Sequence, residues 1–250
     1  MFNIVTAPHP PIRAYYDTEA DRSLWVREIF NRTAGDYDRV ERVLAWGSGS
    51  WYRRRALLRA GLLPRMSVLD IGTGTGLVAR EAAIVVGDAQ LVTGVDPSPG
   101  MLGHAVVPLG LKLLVGSAES IPVASESADF LSMGYALRHV SDLPLAFSEF
   151  MRVLRPGGRI CLLEITQPES TVSRAFLKTY LRGIVPIIAA MISRHSDMPE
   201  LMRYYWETIA ACVPPKVIME ELKAAGFVAV NRRVELGVFS EYQATKNHAR

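Results

Sequence analysis

Two acids and three glycines carry the clearest chemistry in this sequence. In Val68-Leu-Asp-Ile-Gly-Thr-Gly-Thr-Gly-Leu77, Gly72, Gly74 and Gly76 alternate with Thr73 and Thr75, and Asp70 stands two residues ahead of the first glycine. Asp96 closes the next apolar run, Val92-Thr-Gly-Val-Asp96. Glycine takes backbone angles that other residues avoid, and without a Cβ it lets a ligand lie against the main chain. An acid at the end of the following strand stands where the two hydroxyls of a ribose would be held. The pattern points to a nucleoside-bearing cofactor.

The spacing argues against NAD, because a dinucleotide fingerprint is G-x-G-x-x-G and this turn is G-x-G-x-G. Asp70 argues the same way. An acid at the mouth of the turn would repel a pyrophosphate but suits a ligand with a sulfonium and an ammonium. The cofactor inferred is S-adenosylmethionine.

These residues need a strand and a helix to hold them. Met66 to Ile71 has the length and apolar content of a buried parallel strand, and Leu77 to Val86 reads as the helix after the turn. Further strand signals fall near 91–95, 111–115, 128–133 and 158–165, in βαβ alternation. Pro156, Gly157 and Gly158 read as a turn that stops a helix ahead of the fifth strand. A helical stretch over 171–212 follows, and then Val228 to Val234 and Gly237 to Gln243 alternate like an antiparallel pair. The fold class expected is α/β, a doubly wound, mostly parallel seven-stranded sheet with a helical insertion before the last two strands. It is read as a single domain over 1–250: an N-terminal helical lid (1–60), a cofactor-binding core (61–170), the insertion (171–215), and a C-terminal helix and strand pair (216–250).

Along most of its length the chain resembles class I methyltransferases. Gly116-Ser-Ala-Glu-Ser-Ile-Pro122 looks like the loop that cups an adenine, and Val153 to Glu164 like the approach to the fifth strand. The resemblance sharpens to the ubiquinone and menaquinone biosynthesis C-methyltransferases, the UbiE family, through Val26 to Asp38, Tyr135-Ala-Leu-Arg-His-Val140 and Leu222-Lys-Ala-Ala-Gly-Phe227. It implies that Tyr37, Pro97, Met101, Ser117, Ala118, Glu119 and Tyr135 join Asp70, Gly72, Thr73, Gly74, Gly76 and Asp96 around S-adenosylmethionine. It also implies that the segment holding Tyr37 and Asp38 covers the cofactor, and that Arg138 acts with a water in deprotonating a quinol. Two departures stand out. His139 replaces an Asn of the family pattern, and Ala45-Trp-Gly-Ser-Gly-Ser50 lacks the His-Arg pair of another family segment.

Methylating a ring carbon requires a ring made electron-rich by loss of a hydroxyl proton. Arg138 and His139 follow the fourth strand at the carboxyl edge of the sheet, where ligands bind in open α/β folds. With an ordinary pKa near ~6.5, His139 suits a general base, and Arg138 suits holding a phenolate. Glu119 and Glu164 are weaker candidates. The run Gly183 to Ile192 is apolar but shorter than the about 20 residues that span a bilayer. It reads either as a buried helix or as the wall of an apolar pocket, together with Met191, Met198, Met202, Tyr204, Tyr205 and Trp206.

The remaining composition narrows the function classes. The net charge is +3 over 250 residues, with acids and bases interspersed, so nothing favours nucleic acid. Arg53-Arg54-Arg55 is the one basic run, read as a solvated helix face or a contact with an anionic membrane surface. Two cysteines make no disulfide framework, and residues 1–12 carry no signal pattern, so a cytoplasmic location is expected, with membrane contact at most peripheral. Histidines 9, 104, 139, 195 and 248 show no paired spacing, and no metal is expected. The reaction expected is methyl transfer to a ring carbon of a hydroxylated aromatic or quinol. The alternatives are O- or N-methylation of a small aromatic metabolite, and a cofactor-binding scaffold without catalysis.

Overall fold

The computed structural model describes residues 7–44, 47–193 and 197–248. Residues 1–6 of the N-terminal arm, Ala45 and Trp46 of the 45–50 segment, and His195 lie outside them.

Seven strands form one sheet in the order β3-β2-β1-β4-β5-β7-β6. They are β1 (Val68–Ile71), β2 (Val92–Asp96), β3 (Lys112–Val115), β4 (Ala128–Gly134), β5 (Leu154–Ile165), β6 (Phe227–Glu235) and β7 (Phe239–Lys246). The first five run parallel, and β7 pairs antiparallel with both β5 and β6. β1 is buried at all four positions, as a parallel strand covered on both faces must be. The order reverses at β1, which lies between β2 and β4, and that reversal opens a crevice at the carboxyl ends of these strands.

The connecting helices follow from the same residues. α3 (Leu77–Val86) starts after Gly76 and ends before Gly87, both at positive φ, which a glycine adopts without the Cβ clash. α4 (Pro99–Gly103) is capped by Ser98, whose hydroxyl accepts from the Met101 N–H at 3.0 Å. α5 (Leu143–Val153) is capped in the same way by Asp142. Its buried residues Leu143, Ala146, Phe147, Phe150 and Val153 recur at helical spacing and face the sheet. Pro156 and its glycines depart from the expected turn. α5 passes directly into β5, which begins at Leu154, and the register against β4 shifts between Ala128 and Phe130. Gly157, at φ +80°, absorbs the irregularity inside the strand, so the sequence makes a bulge where a turn was expected.

Two apolar clusters flank the sheet, one built with α5 and α9 (Pro215–Ala224), the other with α2 (Gly49–Arg59) and α3. A third lies apart from the strands. It joins α1 (Glu19–Leu44) to the insertion helices α7 (Val185–Ile192) and α8 (Met198–Ala211) through Ile29, Val40, Val185, Ala189, Leu201 and Tyr204. α6 (Thr171–Lys178) precedes α7, joined to it by a π-helical turn over Thr179–Ile184. The N-terminal arm is tied down as well: the Val213 N–H donates to the Pro8 carbonyl at 2.7 Å, and His9 is buried.

Candidate active site

Between the strand ends and the third cluster lies a cleft of about 960 Å³, counted to its open mouth. Its floor is the turn after β1. Gly72, Gly74 and Gly76 have φ of +65°, +56° and +85°, the left-handed region that explains three glycines in five residues. Thr73, Pro97, Met101, Ser117, Ala118 and Glu119 complete the sides, and Tyr37 and Tyr135 stand over it. Tyr135 has φ +60°, a strained conformation for a non-glycine, fixed by its N–H donating to the Leu163 carbonyl at 2.8 Å.

Asp96 lies on the wall at the end of β2. Its carboxylate accepts from the Gly74 N–H at 2.7 Å and from the Ser98 N–H at 2.8 Å, so one acid orders both loops. Burial raises its pKa to about 6 against the pull of those two bonds. Asp70 and Gly76 do not reach the cleft. Asp70 is fully buried beneath the turn, accepting from the Thr73 and Ser132 hydroxyls at 2.7 Å each, and burial raises it also to about 6. Its effect on a ligand passes through Thr73, which corrects the picture of an acid at the mouth of the turn.

α1 closes over these loops by contacts that sequence reading did not find. The Asn31 carbonyl oxygen accepts from the Ser98 hydroxyl at 2.7 Å and the Gly100 N–H at 2.8 Å. Two turns further on, Asp38 accepts from the Thr75 hydroxyl and pairs with Arg80. Val26, Phe30 and Tyr37 line the cleft from this helix, at spacings that share one face. That periodicity, read against Asn31 and Asp38, was the available signal.

The residues expected to do chemistry divide. His139 lines the cleft, stacked on Tyr204 at 5.5 Å between ring centres and edge-on to Phe30 at 5.4 Å. Its Nε2 is buried without a partner among the described residues. Burial, then the charges of Arg138 and Arg22, hold its pKa well below the ordinary imidazole value, so it is neutral at neutral pH. The expectation of a base with an ordinary pKa is corrected accordingly.

Arg138 is not on the wall. Its guanidinium is buried behind it, donating to Glu164 at 2.5 Å and to the Tyr135 carbonyl at 2.8 Å, with Tyr205 stacked against it at 4.6 Å. Burial opposes its charge, but Glu164 outweighs that and keeps it protonated. Arg22 of α1, also buried, donates to the Arg138 carbonyl at 2.5 Å and lies 3.0 Å from His9, so it ties the N-terminal arm to this corner.

Three other expectations change. Of the insertion residues singled out in the sequence, Tyr205 alone lines the cleft, its hydroxyl 2.8 Å from that of Tyr37. Gly183 to Ile192 forms no part of the wall. The basic run is not an open patch: Arg53 is buried, lines the cleft and pairs with Glu41 at 2.5 Å, and Arg54 pairs with Glu81 at 2.7 Å. Glu119 reaches the wall, but one carboxylate oxygen accepts from the Ser141 N–H at 2.7 Å.

A positive-φ glycine floor, an acid presenting its oxygens beside it, and mostly apolar walls with a few polar groups fit S-adenosylmethionine in size and chemistry. Residues 17–246 match the ubiE/COQ5 methyltransferase family. The demethylmenaquinone methyltransferase of Lactococcus lactis is 30% identical over 231 residues, which cover 89% of this chain and 90% of that protein. The ubiquinone/menaquinone biosynthesis C-methyltransferase UbiE of Syntrophotalea carbinolica is 33% identical over 212 residues, 83% of this chain and 87% of that one. Among solved structures, phosphoethanolamine N-methyltransferase 2 of Haemonchus contortus superposes with a TM-score of 0.62 at 19% identity, covering 89% of this chain and 60% of that chain. A SAM-dependent methyltransferase from Aquifex aeolicus gives 0.57 at 20% identity, covering 83% and 97%. These two likenesses speak for the fold, a class I methyltransferase sheet, while the sequence matches speak for descent: the chain belongs to the ubiE/COQ5 methyltransferase family and is an S-adenosylmethionine-dependent methyltransferase.

Proposed function

We propose that the enzyme methylates a ring carbon of a hydroxylated aromatic, a quinol bearing an apolar tail, and that it works in the cytoplasm with peripheral contact to a membrane. The observation that carries this reading is the unpartnered Nε2 of His139 in the cleft, within the field of the buried cations Arg138 and Arg22. When bound, S-adenosylmethionine supplies an electrophilic methyl group on a sulfonium. The chain's own residues orient and activate the acceptor. Asp96, Gly72, Gly74 and Met101 hold the nucleoside, and Ser117 to Glu119 its base. α1 and α8 form a lid that places Tyr37 and Tyr205 over the acceptor and excludes water.

His139 accepts the hydrogen bond of an acceptor hydroxyl at Nε2. Arg138 does not touch the ring, and we assign it a positioning role. Through Glu164 and the Tyr135 carbonyl it fixes the loop that carries His139, and its charge behind Tyr205 favours an anionic ring. Burial, then the charges of Arg138 and Arg22, keep His139 neutral, so its free Nε2 can take the hydroxyl proton as the ring carbon attacks. The ring proton displaced by the methyl is lost to solvent as aromaticity returns, and the imidazolium gives its proton back to the oxygen.

A quinol with a free ring position, the same quinol with that position already methylated, and a simple catechol separate this reading from O-methylation. Turnover of the first alone is expected. Turnover of the blocked quinol would overturn the assignment in favour of an oxygen acceptor.

A further inference from the structure

From Thr171 to Ile192 the insertion runs as one continuous helix of 22 residues, roughly 33 Å at about 1.5 Å per residue, with no Asp or Glu in it. One side packs on the lid cluster through Val185 and Ala189. The other side carries Val172, Phe176, Ile187 and Met191, which are 80%, 73%, 63% and 80% exposed. Their separations of four, eleven and four residues are close to whole numbers of turns, so they form one stripe, with Gly183 between. Arg174, Lys178 and Arg182, also four apart but two residues out of phase with Val172 and Phe176, make a second row on the opposite side of the same helix. Their ties are loose: Arg182 lies 3.7 Å from Glu207, and Arg174 reaches the Pro168 and Glu169 carbonyls at 3.4 and 3.5 Å.

We propose that this face is an interfacial helix that docks on an anionic bilayer. The apolar stripe enters the boundary between headgroups and acyl chains, and the basic row meets lipid phosphates. Charge selects this occupant. A helix that is apolar along one side and carries three cations and no acid on the other lies in the plane of an anionic interface, with the stripe below and the cations at the level of the phosphates. A second copy packed stripe to stripe would instead leave those cations without a partner surface. Spanning is disfavoured, because crossing would strip the helix from α1 and α8 and carry three cations into the hydrocarbon. The inference deepens the membrane contact proposed above and rests on that reading for its purpose, which is to bring the lid to the layer where a tailed quinol resides.

Flotation of the full chain with phosphatidylcholine vesicles, with and without phosphatidylglycerol, tests it without any methyl acceptor. The wild type is expected to float with the anionic vesicles and far less with the neutral ones. Lys178→Glu/Arg182→Glu should cut the bound fraction at least tenfold, and Phe176→Asp/Met191→Asp should abolish binding. Both variants should bind S-adenosylmethionine as the wild type does in calorimetry, with Phe176→Ser/Met191→Ser standing in if the acidic pair fails that check. Methyl transfer to a tail-less, water-soluble quinol should be unchanged in them. Absence of wild-type flotation, flotation retained by both charge and apolar variants, or a wild-type dimer that the same substitutions dissociate would each overturn the proposal. Vesicle binding without turnover of any quinol would leave docking intact and remove the acceptor assignment instead.

Discussion

Asp96 answers two demands at once, bracing the loops after β1 and β2 and presenting an acceptor to the cleft. Its raised pKa, about 6, gives the binding of S-adenosylmethionine a pH dependence with a definite sign. Above that value the carboxylate is ionised and accepts the ribose hydroxyls, so affinity is level near pH 7 to 8 and falls as pH drops through 6. The fall approaches about tenfold per pH unit. Calorimetric titration across this range should show the fall in the wild type and a shallower one in Asp96→Asn, where only Asp70, raised to about 6 as well, still titrates beneath the turn, while Asp96→Ala loses at least about tenfold at neutral pH, near 1.4 kcal/mol.

Arg138 and His139 should separate by readout. Removing Arg138 leaves Glu164 charged and buried, so Arg138→Ala is expected to lose about 3–5 kcal/mol of stability in denaturant unfolding, partly restored by adding Glu164→Gln. His139→Ala should keep the fold and cofactor affinity but lose roughly 10²-fold in kcat. A wild-type kcat in His139→Ala would remove it from the chemistry. The glycine turn and Asp96 were legible because their chemistry is local, within a few residues of a strand end. The fates of Arg138 and His139 were not. Their controlling partners, Glu164 on β5 and Arg22 on α1, are 26 and 116 residues from Arg138. A pKa set by burial has no signature in a short stretch of sequence.

At the scale of elements, α1 is the part that turns an open crevice into a closed site. It is held over the loops by few bonds, chiefly Asn31 to Ser98 and Gly100 and Asp38 to Thr75. Asn31→Ala removes two acceptor contacts at about 0.5–1.5 kcal/mol each. The expected outcome is a several-fold faster release of S-adenosylmethionine in stopped-flow measurement with modest loss of stability; unchanged release would mean that α1 is not the gate. Gly72→Ala tests the floor from the other side. A methyl there would meet the Ala136 Cβ at 2.5 Å and the residue is held at φ +65°, so cofactor affinity should fall while the remaining strands stay folded. Strands and helices of the core were legible from apolar runs and glycine punctuation. The Pro156 segment was not, because a bulge at a strand start and a turn before one share the same Pro and Gly composition. The insertion stands where it was expected, but its apolar run was only half legible: such a run reports burial or a membrane equally well, and its exposed stripe became visible only once α1 and α8 had claimed the other face.

In the molecule as a whole, two apolar clusters lock the sheet to its flanking helices and the third joins the covering helices to one another. A cofactor bound between sheet and cover stabilises the closed arrangement by mass action. Hydrogen exchange should therefore find α1, α7 and α8 less protected than β1, β4 and β5 in the free enzyme, with S-adenosylmethionine slowing exchange mainly in the former. Uniform protection without cofactor would contradict a separable lid. The mostly parallel sheet and a site at the carboxyl edge of its strands were anticipated by βαβ alternation, while the strand order and its reversal at β1 depend on long-range pairing that no short stretch of sequence encodes.

The most direct test of the central claim is where the methyl group goes. With S-adenosylmethionine carrying a ¹³C methyl and a tailed quinol with one free ring position, NMR of the isolated product should place the label on the ring carbon, with none on oxygen, and His139→Ala should slow its appearance. Label found on oxygen, or its absence from every quinol while the cofactor binds, would contradict ring-carbon methylation by this cleft.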